Sequence, residues 1–463
     1  MIEDAHLQEL KALLDPGRLL TDSDALQNYG KDWTRIYPPA PSAIALPGSI
    51  EQVQAIVAWA NRHQVALVPS GGRTGLSAAA VASNGELVVA FDRMNRILDF
   101  DPVERSIRCQ PGVVTAALQE FAEQQGLYYA VDFASAGSSQ IGGNIGTNAG
   151  GIKVIRYGMT RNWVTGLKVV TGKGELLELN KGLLKNATGY DLRHLFIGSE
   201  GTLGLVVEVT LRLERPPQNL TAMVLGVPDF ASIMSILQLY QGRMDLTAFE
   251  FFSDLGLDKI LERGEVPAPF VGCYPYYALL EFEASSAEQS DRALATFEEC
   301  LEKGWALDGV ISQNETQLRN LWRLREDLSE TLAPFTPYKN DLSVTVSRVP
   351  AFLADIDAIV KERYPDFEVI WYGHIGDGNL HLNILKPANL SKEDFFAKCA
   401  QVNVPIFETV RKYGGSISAE HGVGLVKRDY LGYSRSPEEI AFMKAIKAVF
   451  DPNGILNPGK IFL

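Results

Sequence analysis

The chain has 463 residues, of which 46% are hydrophobic and 21% are charged. These values exclude a disordered, collagen-like or low-complexity chain, and the length predicts about three domain-sized units, or two large ones that share a segment. The 56 Asp and Glu outnumber the 43 Lys and Arg, giving a formal net charge of −13. This charge argues against sequence-independent nucleic-acid binding, which needs a basic surface for the phosphates. Any anionic substrate must therefore be bound by a local basic pocket.

Cysteine spacing and the amino terminus indicate the cellular setting. The four cysteines are far apart and form no CxxC pair, so neither a disulfide scaffold nor a thiolate zinc site is predicted. The amino terminus is acidic where a signal peptide has a basic region, and no run of about 18 apolar residues occurs. We expect a cytoplasmic protein without a transmembrane segment.

The first half of the chain predicts a lead-in followed by an α+β domain. Four leucines at helical spacing predict a helix within the lead-in, residues 1–40. Over residues 41–215, short apolar runs alternate with Gly-rich turns and with a helical segment at 53–60. The predicted strands are the apolar runs 65–68, 86–91, 167–170 and 205–209.

The second half predicts another α+β domain and a helical end. Two prolines at 216–217 break the earlier pattern. Strands then alternate with amphipathic helices near 286–304 and 316–332, which predicts a ferredoxin-like α+β substrate domain over residues 216–393. Residues 394–463 predict a mostly helical segment with a turn-rich tail.

Three segments, 69–77, 137–151 and 198–204, concentrate glycine and other small residues. Glycine allows positive φ and lets backbone N–H groups approach an anion closely, so such loops can hold a pyrophosphate. Tight turns explain any one of these segments equally well. The GxGxxG fingerprint after a strand and the GxxxxGK[ST] loop are both missing, so neither a Rossmann site nor an NTPase P-loop is supported.

The order and spacing of these segments resemble the FAD-binding domain of the vanillyl-alcohol oxidase / p-cresol methylhydroxylase type. The resemblance implies that the first loop contacts the FAD pyrophosphate, the second the pyrophosphate and ribityl chain, and the third the adenine side. It also implies non-covalent FAD, because the first two loops lack the His or Cys to which relatives attach the flavin. The FAD contacts implied in this way are Pro69, Gly71, Gly72, Arg73, Thr74, Gly75, Ser138, Gly142, Asn144, Thr147, Asn148, Gly151, Glu200, Gly204 and Val206.

Three of the six histidines lie in two short segments near the end of the chain. His374 and His381 enclose a Gly-Asp-Gly-Asn turn after an apolar run, which predicts two strands whose turn brings both imidazoles to one point. Two imidazoles and a carboxylate with an open fourth position are typical of catalytic zinc, and Glu420 is the candidate third ligand. The alternative is a pair of core histidines that only form hydrogen bonds.

These two segments resemble the FAD-linked D-2-hydroxy acid dehydrogenases. The resemblance implies that His374, His381 and Glu420 bind a divalent metal and that His421 is the catalytic base. Asn379 would help to hold the substrate near the metal. Fe(II) suits the same ligands, but FAD can carry the electrons, so we expect zinc.

Candidate anion-binding residues precede the histidine segments. Arg325 and Ser329 are predicted on one face of the helix 316–332, at i, i+4 spacing, and Lys339 follows in a Tyr-Lys-Asn-Asp-Leu-Ser segment. Ordinary surface charges are the alternative. The stretch resembles the branch of the family that oxidises D-2-hydroxyglutarate, in which the matching residues bind the distal carboxylate. Arg suits this role because its planar guanidinium can grip both carboxylate oxygens.

Together, these resemblances imply zinc-assisted, FAD-dependent oxidation of D-2-hydroxyglutarate to 2-oxoglutarate, with His421 removing the hydroxyl proton and the C2 hydride passing to flavin. They imply an electron-transfer flavoprotein or a quinone-linked acceptor, and they leave a homodimer open. Residues 394–463 are expected to return to the flavin. The alternatives are a D-lactate, D-malate or glycolate dehydrogenase of the same family, a non-redox flavin transferase of the alkylglycerone-phosphate synthase kind, and a non-catalytic metal-binding protein.

Overall fold

The structure, a computed structural model, describes residues 2–462 and divides into two compact units. The first unit contains the chain up to Gly150, Gly158–Pro216 and the chain from Glu420 onward. The second contains Gly151–Tyr157 and Pro217–Ala419. Each unit combines helices with β-sheet, so the predicted α+β class is confirmed.

The regular elements are numbered in chain order. The strands are β1 Leu19–Leu20, β2 Ala43–Ala45, β3 Leu67–Ser70, β4 Leu87–Ala90, β5 Ile97–Asp101, β6 Ser106–Cys109, β7 Val164–Thr171, β8 Leu176–Leu179, β9 Gly204–Arg212, β10 Leu220–Val227, β11 Leu246–Ser253, β12 Tyr276–Glu283, β13 Asp308–Ile311, β14 Tyr338–Ser343, β15 Val369–Gly373 and β16 Asn379–Ile384. The α-helices are α1 Asp4–Ala12, α2 Ser23–Tyr29, α3 Ile50–His63, α4 Thr115–Gln124, α5 Ile141–Thr147, α6 Val154–Tyr157, α7 Arg193–Phe196, α8 Phe230–Gln241, α9 Asp254–Glu262, α10 Ala287–Glu302, α11 Glu315–Glu326, α12 Leu328–Leu332, α13 Val349–Arg363, α14 Lys392–Lys412 and α15 Pro437–Phe450. Short 3-10 helices occur at Thr160–Asn162, Ala333–Phe335, Val346–Arg348 and Arg428–Tyr433.

The first unit contains a four-stranded sheet of order β1-β2-β4-β3, in which β2, β4 and β3 are parallel. The carboxy-terminal tail extends this sheet beyond β3. The Leu67 N–H donates to the Ile455 carbonyl at 2.7 Å, and the Asn457 N–H donates to the Leu67 carbonyl at 2.7 Å. Leu456, between them, is fully buried, so the tail is part of the hydrophobic core.

Helix α3 covers this sheet with one apolar face. It begins after Ser49, whose hydroxyl accepts the N–H of Gln52, as N-cap residues commonly do. Val53, Ile56 and Trp59 are fully buried, at the spacing expected for one helical face. The helix predicted at 53–60 is therefore confirmed within a longer element.

A second sheet of the first unit is antiparallel, with order β5-β6-β9-β7-β8. The predicted strands 167–170 and 205–209 are its central pair, β7 and β9. A Cβ on Gly204 would lie 2.4 Å from Cγ1 of Val169 on the neighbouring strand. Glycine is needed there because any side chain would collide with β7, and the third Gly-rich segment consequently ends at this sheet.

The second unit is built on a seven-stranded antiparallel sheet of order β13-β10-β12-β11-β15-β16-β14. The strand, turn and strand predicted around the two histidines are β15 and β16. Lys339 lies opposite Asn383, and Asp341 lies opposite His381, which in turn lies opposite Tyr372. Because side chains alternate along a strand, these five side chains belong to one face of the sheet.

The helix predicted at 316–332 is wrong in its extent. Helix α11 ends at Glu326 and α12 begins at Leu328. Between them, the Asp327 carboxylate accepts a hydrogen bond from Nε of Arg323 at 2.9 Å, which is typical of short polar residues at helix ends. Arg325 and Ser329 therefore lie on successive helices instead of one. Among residues 2–462, no helix is both long enough and apolar enough to cross a membrane.

Candidate active site

All three Gly-rich segments of the first unit line one open cleft. The predicted FAD contacts that line it are Pro69, Gly71, Gly142, Thr147, Glu200, Gly204 and Val206. Two further glycines make the loops pack tightly. A Cβ on Gly72 would lie 2.1 Å from the Ser138 carbonyl oxygen, and one on Gly201 would lie 2.3 Å from Cγ of Pro69.

The cleft opens onto bare backbone at helix α5. Gly143 and Gly146 both line the cleft, and a Cβ at either position would meet no atom within 4 Å. A flat or extended ligand can therefore approach this turn of helix closely. Neither residue was predicted, although their i, i+3 spacing would have placed them on one face had the segment been read as a helix.

Buried polar atoms of the cleft indicate a polar ligand. Oγ of Ser70 and Oε1 of Gln140 are buried and have no hydrogen-bond partner within the part of the chain that the structure describes. Such atoms are rare because each costs desolvation energy. The ribityl hydroxyls, phosphates and ring edge of FAD offer both donors and acceptors, so these residues fit that cofactor.

Several predicted FAD contacts also form hydrogen bonds within the protein that hold the loops in place. The guanidinium of Arg73 pairs with Asp92, at 3.0 Å. The amide of Asn144 donates to Oγ1 of Thr115 at 2.7 Å. Asn148 ends α5 in the left-handed region, at φ 52°, and its side-chain oxygen accepts the N–H of Arg161.

The remaining predicted contacts are loop residues outside the cleft lining. They are Gly72, Thr74, Gly75 and Ser138, whereas Gly151 belongs to the second unit.

The Glu200 side chain holds the turn that follows His421. It is buried, and its two oxygens accept the backbone N–H groups of Val423, at 2.6 Å, and Gly424, at 2.8 Å. Burial raises the pKa of Glu200, while these two hydrogen bonds lower it. Gly422 and Gly424 have positive φ, 81° and 50°, which the turn requires. Glu200 therefore acts on the polypeptide near His421, and both of its oxygens are already bonded.

The carboxy-terminal tail reaches the loops of the same cleft. The amide of Asn457 donates to the carbonyl of Ala79 at 2.9 Å and to that of Glu200 at 2.8 Å. The ammonium of Lys460 donates to the Val81 carbonyl at 2.8 Å. Because Ala79 and Glu200 both line the cleft, the tail supports its wall.

In the second unit, the structure brings His374 and His381 together. Their ring centroids are 5.3 Å apart and the rings are nearly perpendicular, and both side chains are buried. Nδ1 of His374 lies 2.9 Å from Oε1 of Glu250, and Nδ1 of His381 lies 3.8 Å from Oδ1 of Asp341. Carboxylates behind imidazoles at Nδ1 are typical of metal sites, where Nε2 is then the ligand atom.

Glu420 and His421 open the last segment of the first unit, where Nε2 of His421 lies 3.5 Å from Oε1 of Glu420. The residues just before them belong to the second unit. Ser416 forms an antiparallel bridge with Ser343 at the end of β14, and the Ala419 N–H donates to the Asp341 carbonyl at 3.4 Å. Glu420 is the next residue of the chain.

Two cations lie in the buried polar region of the second unit. Arg325 is only 5% exposed, its guanidinium stacks 4.6 Å from the Tyr372 ring centroid, and its Nη2 lies 2.9 Å from Oε2 of Glu250. Its Nε and Nη2 atoms have no hydrogen bond of good geometry among residues 2–462. Lys339 donates from Nζ to Oγ of Ser329 at 3.0 Å, and burial lowers the pKa of this lysine.

Two asparagines of β16 differ in what their amides bind. The Asn379 amide donates to Oδ1 of Asp341 at 2.9 Å and to the Leu342 carbonyl at 3.0 Å, so both of its N–H groups are used. Asn383 is fully buried opposite Lys339, and its Oδ1 has no hydrogen bond within the described chain. Asn383 was not predicted, although the period of two along Asn379, His381 and Asn383 would have placed it on the same face.

Comparison with known proteins agrees with this architecture. Residues 216–461 match the family of FAD linked oxidases, C-terminal domain, and residues 41–180 match an FAD binding domain. The D-2-hydroxyglutarate dehydrogenase of Stutzerimonas stutzeri (strain A1501) is 72% identical over 462 residues, covering 100% of both chains. That of Xanthomonas citri pv. viticola is 55% identical, covering 99% of this chain and 97% of the relative.

A solved structure of p-cresol methylhydroxylase with substrate bound superimposes with a TM-score of 0.76 at 17% identity, covering 99% of this chain and 96% of that one. This likeness shows the fold, and it confirms the predicted p-cresol methylhydroxylase type. The resemblance to the FAD-linked 2-hydroxy acid dehydrogenases is confirmed by the family matches and the relatives. The chain is an oxidoreductase with an FAD-binding domain, and it belongs to the family of FAD-linked oxidases.

Proposed function

We propose that this protein oxidises D-2-hydroxyglutarate to 2-oxoglutarate with FAD and a divalent metal, for which we propose zinc. The observation that carries the proposal is the buried guanidinium of Arg325, whose Nη2 lies 2.9 Å from Oε2 of Glu250 and whose Nε has no hydrogen bond among residues 2–462. It shares Glu250 with His374, so a site for a carboxylate lies beside a candidate metal ligand. The relatives named D-2-hydroxyglutarate dehydrogenase support the choice of substrate.

The cleft of the first unit would hold FAD without a covalent bond. Ser70 and Gln140 would give it hydrogen bonds, and the bare backbone at Gly143 and Gly146 would allow close approach. When bound, FAD supplies the acceptor for the hydride that leaves C2 of the substrate. The protein supplies orientation, since the Gly-rich loops are fixed by the contacts of Gly72 and Gly201 described above.

The metal would be held by His374, His381 and Glu420. Imidazole nitrogens and a carboxylate oxygen are the donors that zinc accepts with one position left open. When bound, a divalent metal lowers the pKa of a coordinated hydroxyl group. Glu250, 2.9 Å from Nδ1 of His374, would keep the proton of that imidazole on Nδ1, and Asp341 lies 3.8 Å from Nδ1 of His381, which is too far for a direct hydrogen bond.

We assign the proton transfer to His421. A positioned general base typically contributes about 10²- to 10⁴-fold to a rate. The turn after His421 is fixed by Glu200 through Val423 and Gly424, so the backbone just after the base is held at two consecutive residues.

Arg325, Ser329 and Lys339 would bind the distal carboxylate. Arg325 already pairs with Glu250, but Lys339 is a partly buried cation that needs compensating negative charge, and a dicarboxylate brings one more charge than lactate does. We add Asn383, whose amide lies opposite Lys339, as a further contact to the substrate. Asn379 would act indirectly, because its amide already holds Asp341.

The electron acceptor, a flavoprotein or quinone-linked protein, stays a prediction, as does a homodimer. Cytoplasmic location also stays a prediction.

The experiment is anaerobic mixing of the metal-loaded FAD enzyme with D-2-hydroxyglutarate, followed by the flavin absorbance. We expect rapid bleaching by this substrate, and slower bleaching by D-lactate and D-malate at equal concentration. Preferred bleaching by D-lactate would contradict the roles of Arg325 and Lys339. No bleaching by any hydroxy acid would contradict the dehydrogenase assignment and favour a flavin transferase.

A further inference from the structure

Glu250 is a buried carboxylate that touches both parts of the proposed substrate site. It lies in the middle of β11 and is 1% exposed. Both of its oxygens lie 2.9 Å from Nδ1 of His374, and Oε2 also lies 2.9 Å from Nη2 of Arg325. A single side chain thus connects a candidate metal ligand, His374, to Arg325, which would bind the substrate carboxylate.

We propose that Glu250 is a positioning residue that sets both the metal affinity of His374 and the orientation of the Arg325 guanidinium. The inference rests on the proposed function of this site. A carboxylate at Nδ1 keeps the imidazole proton on that nitrogen, so that Nε2 of His374 is the atom that binds metal, and it raises the basicity of the ring. The tautomer of His374 is consequently set by Glu250.

The same carboxylate fixes Arg325. The guanidinium lies on the face of Tyr372, which restricts its plane, and Glu250 holds the Nη2 side. The opposite charges also compensate each other in a buried place, where an unpaired charge would be costly. Arg325 can then present its remaining N–H groups in a fixed orientation to a substrate carboxylate.

Sharing one carboxylate makes the substitution Glu250→Gln informative. Glutamine has one acceptor oxygen and one NH2 group in place of two oxygens. If the NH2 faces Nδ1 of His374, the imidazole proton must move to Nε2 and metal binding is weakened. If it faces Arg325, two cationic or donor groups oppose each other and the guanidinium is displaced. We therefore expect both functions to suffer.

Glu281 offers a matched control on the same sheet. It is also 1% exposed. It lies on β12 opposite Ala248, and Ala248 precedes Glu250 by two residues on β11. Its carboxylate accepts hydrogen bonds from Lys153, Thr247 and Trp322. Glu281→Gln thus removes a buried carboxylate that lies on the strand next to that of Glu250 and on the same face of the sheet. Unlike Glu250, this carboxylate is bonded to neither His374 nor Arg325.

The test titrates zinc into the metal-stripped FAD enzyme in competition with a chromogenic chelator, without substrate. We expect Glu250→Gln to bind zinc about tenfold to 100-fold more weakly than the wild-type enzyme. We expect Glu281→Gln to stay within threefold of the wild type. A second readout is the KM for D-2-hydroxyglutarate relative to that for D-lactate, which should rise in Glu250→Gln alone.

Unchanged zinc affinity in Glu250→Gln would overturn the proposal, and so would equal weakening in both variants. A wild-type enzyme that binds no zinc would instead refute the proposed metal site, which distinguishes the two failures. If Glu250→Gln does not fold, Glu250→Asp keeps the charge on a stem shorter by one methylene. It should bind zinc several-fold more weakly, and wild-type affinity in that variant would overturn the inference.

Discussion

The Glu200 carboxylate accepts the backbone N–H of Gly424 at 2.8 Å, which joins two residues that are 224 positions apart. Its other oxygen accepts the N–H of Val423. Glu200 was predicted to contact FAD, and it does line the cleft, but its polar atoms face the turn after His421. The proposed cofactor cleft and the backbone that carries the proposed base are therefore joined by one side chain.

We predict that Glu200→Gln lowers kcat while FAD content is kept. Glutamine can accept only one of the two N–H groups, and leaving the other against an NH2 group costs about 1–3 kcal/mol. The turn should loosen and displace His421, so we expect kcat to fall about tenfold or more, which corresponds to at least about 1.4 kcal/mol of lost transition-state stabilisation. The measurements are kcat and the ratio of flavin to protein absorbance.

The matched control for this prediction is Glu208→Gln. Glu208 is a buried carboxylate of β9 that pairs with Lys168 at 2.9 Å and does not line the cleft. Its removal should leave kcat within about twofold of the wild type. Equal kcat values in the two variants would show that the hydrogen bonds of Glu200 to the turn after His421 do not matter for turnover.

A second prediction concerns the bare helical backbone in the cleft. Gly143→Val should remove most of the bound FAD, because the new side chain projects into space that a Cβ on this residue would enter unopposed. The helix itself should not be weakened, since valine has a higher helix propensity than glycine. Flavin content after gel filtration, together with the Tm of the flavin-free protein, measures both effects.

Gly432→Val is the comparison for this variant. Gly432 lies in the 3-10 helix Arg428–Tyr433, where a Cβ would also meet no atom within 4 Å, and it does not line the cleft. We expect normal flavin content. Full FAD occupancy in Gly143→Val would mean that the cofactor does not approach α5.

Sequence patterns predicted the local elements that carry the site. The β15–β16 hairpin was predictable because a hydrophobic run, a Gly-Asp-Gly-Asn turn and a second strand follow each other directly. The Gly-rich loops were predictable because glycine marks positions where backbone must approach closely. In both cases the information lies within about fifteen residues, which is the range over which spacing determines geometry.

The contacts between distant residues were not predictable in this way. Glu250 is 124 positions from His374, and no local pattern shows that a glutamate within a hydrophobic strand faces an imidazole. Arg73 was assigned to the pyrophosphate on its loop position, yet its guanidinium pairs with Asp92. Sheet order and register decide which buried charges meet, and neither can be read from the local patterns of a single sequence.

A third prediction is that metal removal stops turnover and leaves the flavin bound. The candidate ligands His374 and His381 lie in the second unit, whereas the cleft proposed for FAD lies in the first. Dialysis against a chelator should abolish oxidation of D-2-hydroxyglutarate, and added zinc should restore it. His381→Ala should not be restored. His63→Ala, which removes a histidine bonded to Glu9 on α1, should behave as the wild type. Turnover that survives complete metal removal would refute the metal assignment.

A fourth prediction tests the distal carboxylate contact. Lys339→Met keeps the apolar stem and removes the ammonium that donates to Ser329. Losing a charged hydrogen bond costs about 1.5–3 kcal/mol, so the KM for D-2-hydroxyglutarate should rise about tenfold to 100-fold. The KM for D-lactate should change little, because it has no distal carboxylate. Lys303→Met, at the exposed residue that follows α10, is the control. Equal changes for both substrates would place Lys339 elsewhere than at the distal carboxylate.

The lowered pKa of Lys339 gives a pH dependence with a definite sign. Burial disfavours its charged form, so the folded enzyme releases this proton at a lower pH than the unfolded chain does. Over the window between these two pKa values the unfolded chain binds more protons, and stability should rise with pH. Below the window the charged lysine costs stability. Lys339→Met should therefore raise the Tm of the substrate-free enzyme at neutral pH.

Substrate binding should show the opposite trend with pH. The carboxylate binds the ammonium form, so the wild-type KM for D-2-hydroxyglutarate should increase as the pH rises through the lowered pKa of Lys339. This increase should be missing for D-lactate and in Lys339→Met. A higher Tm together with a higher KM for D-2-hydroxyglutarate in Lys339→Met would show that this lysine binds substrate at the expense of stability. A lower Tm with an unchanged KM would instead identify Lys339 as a structural residue.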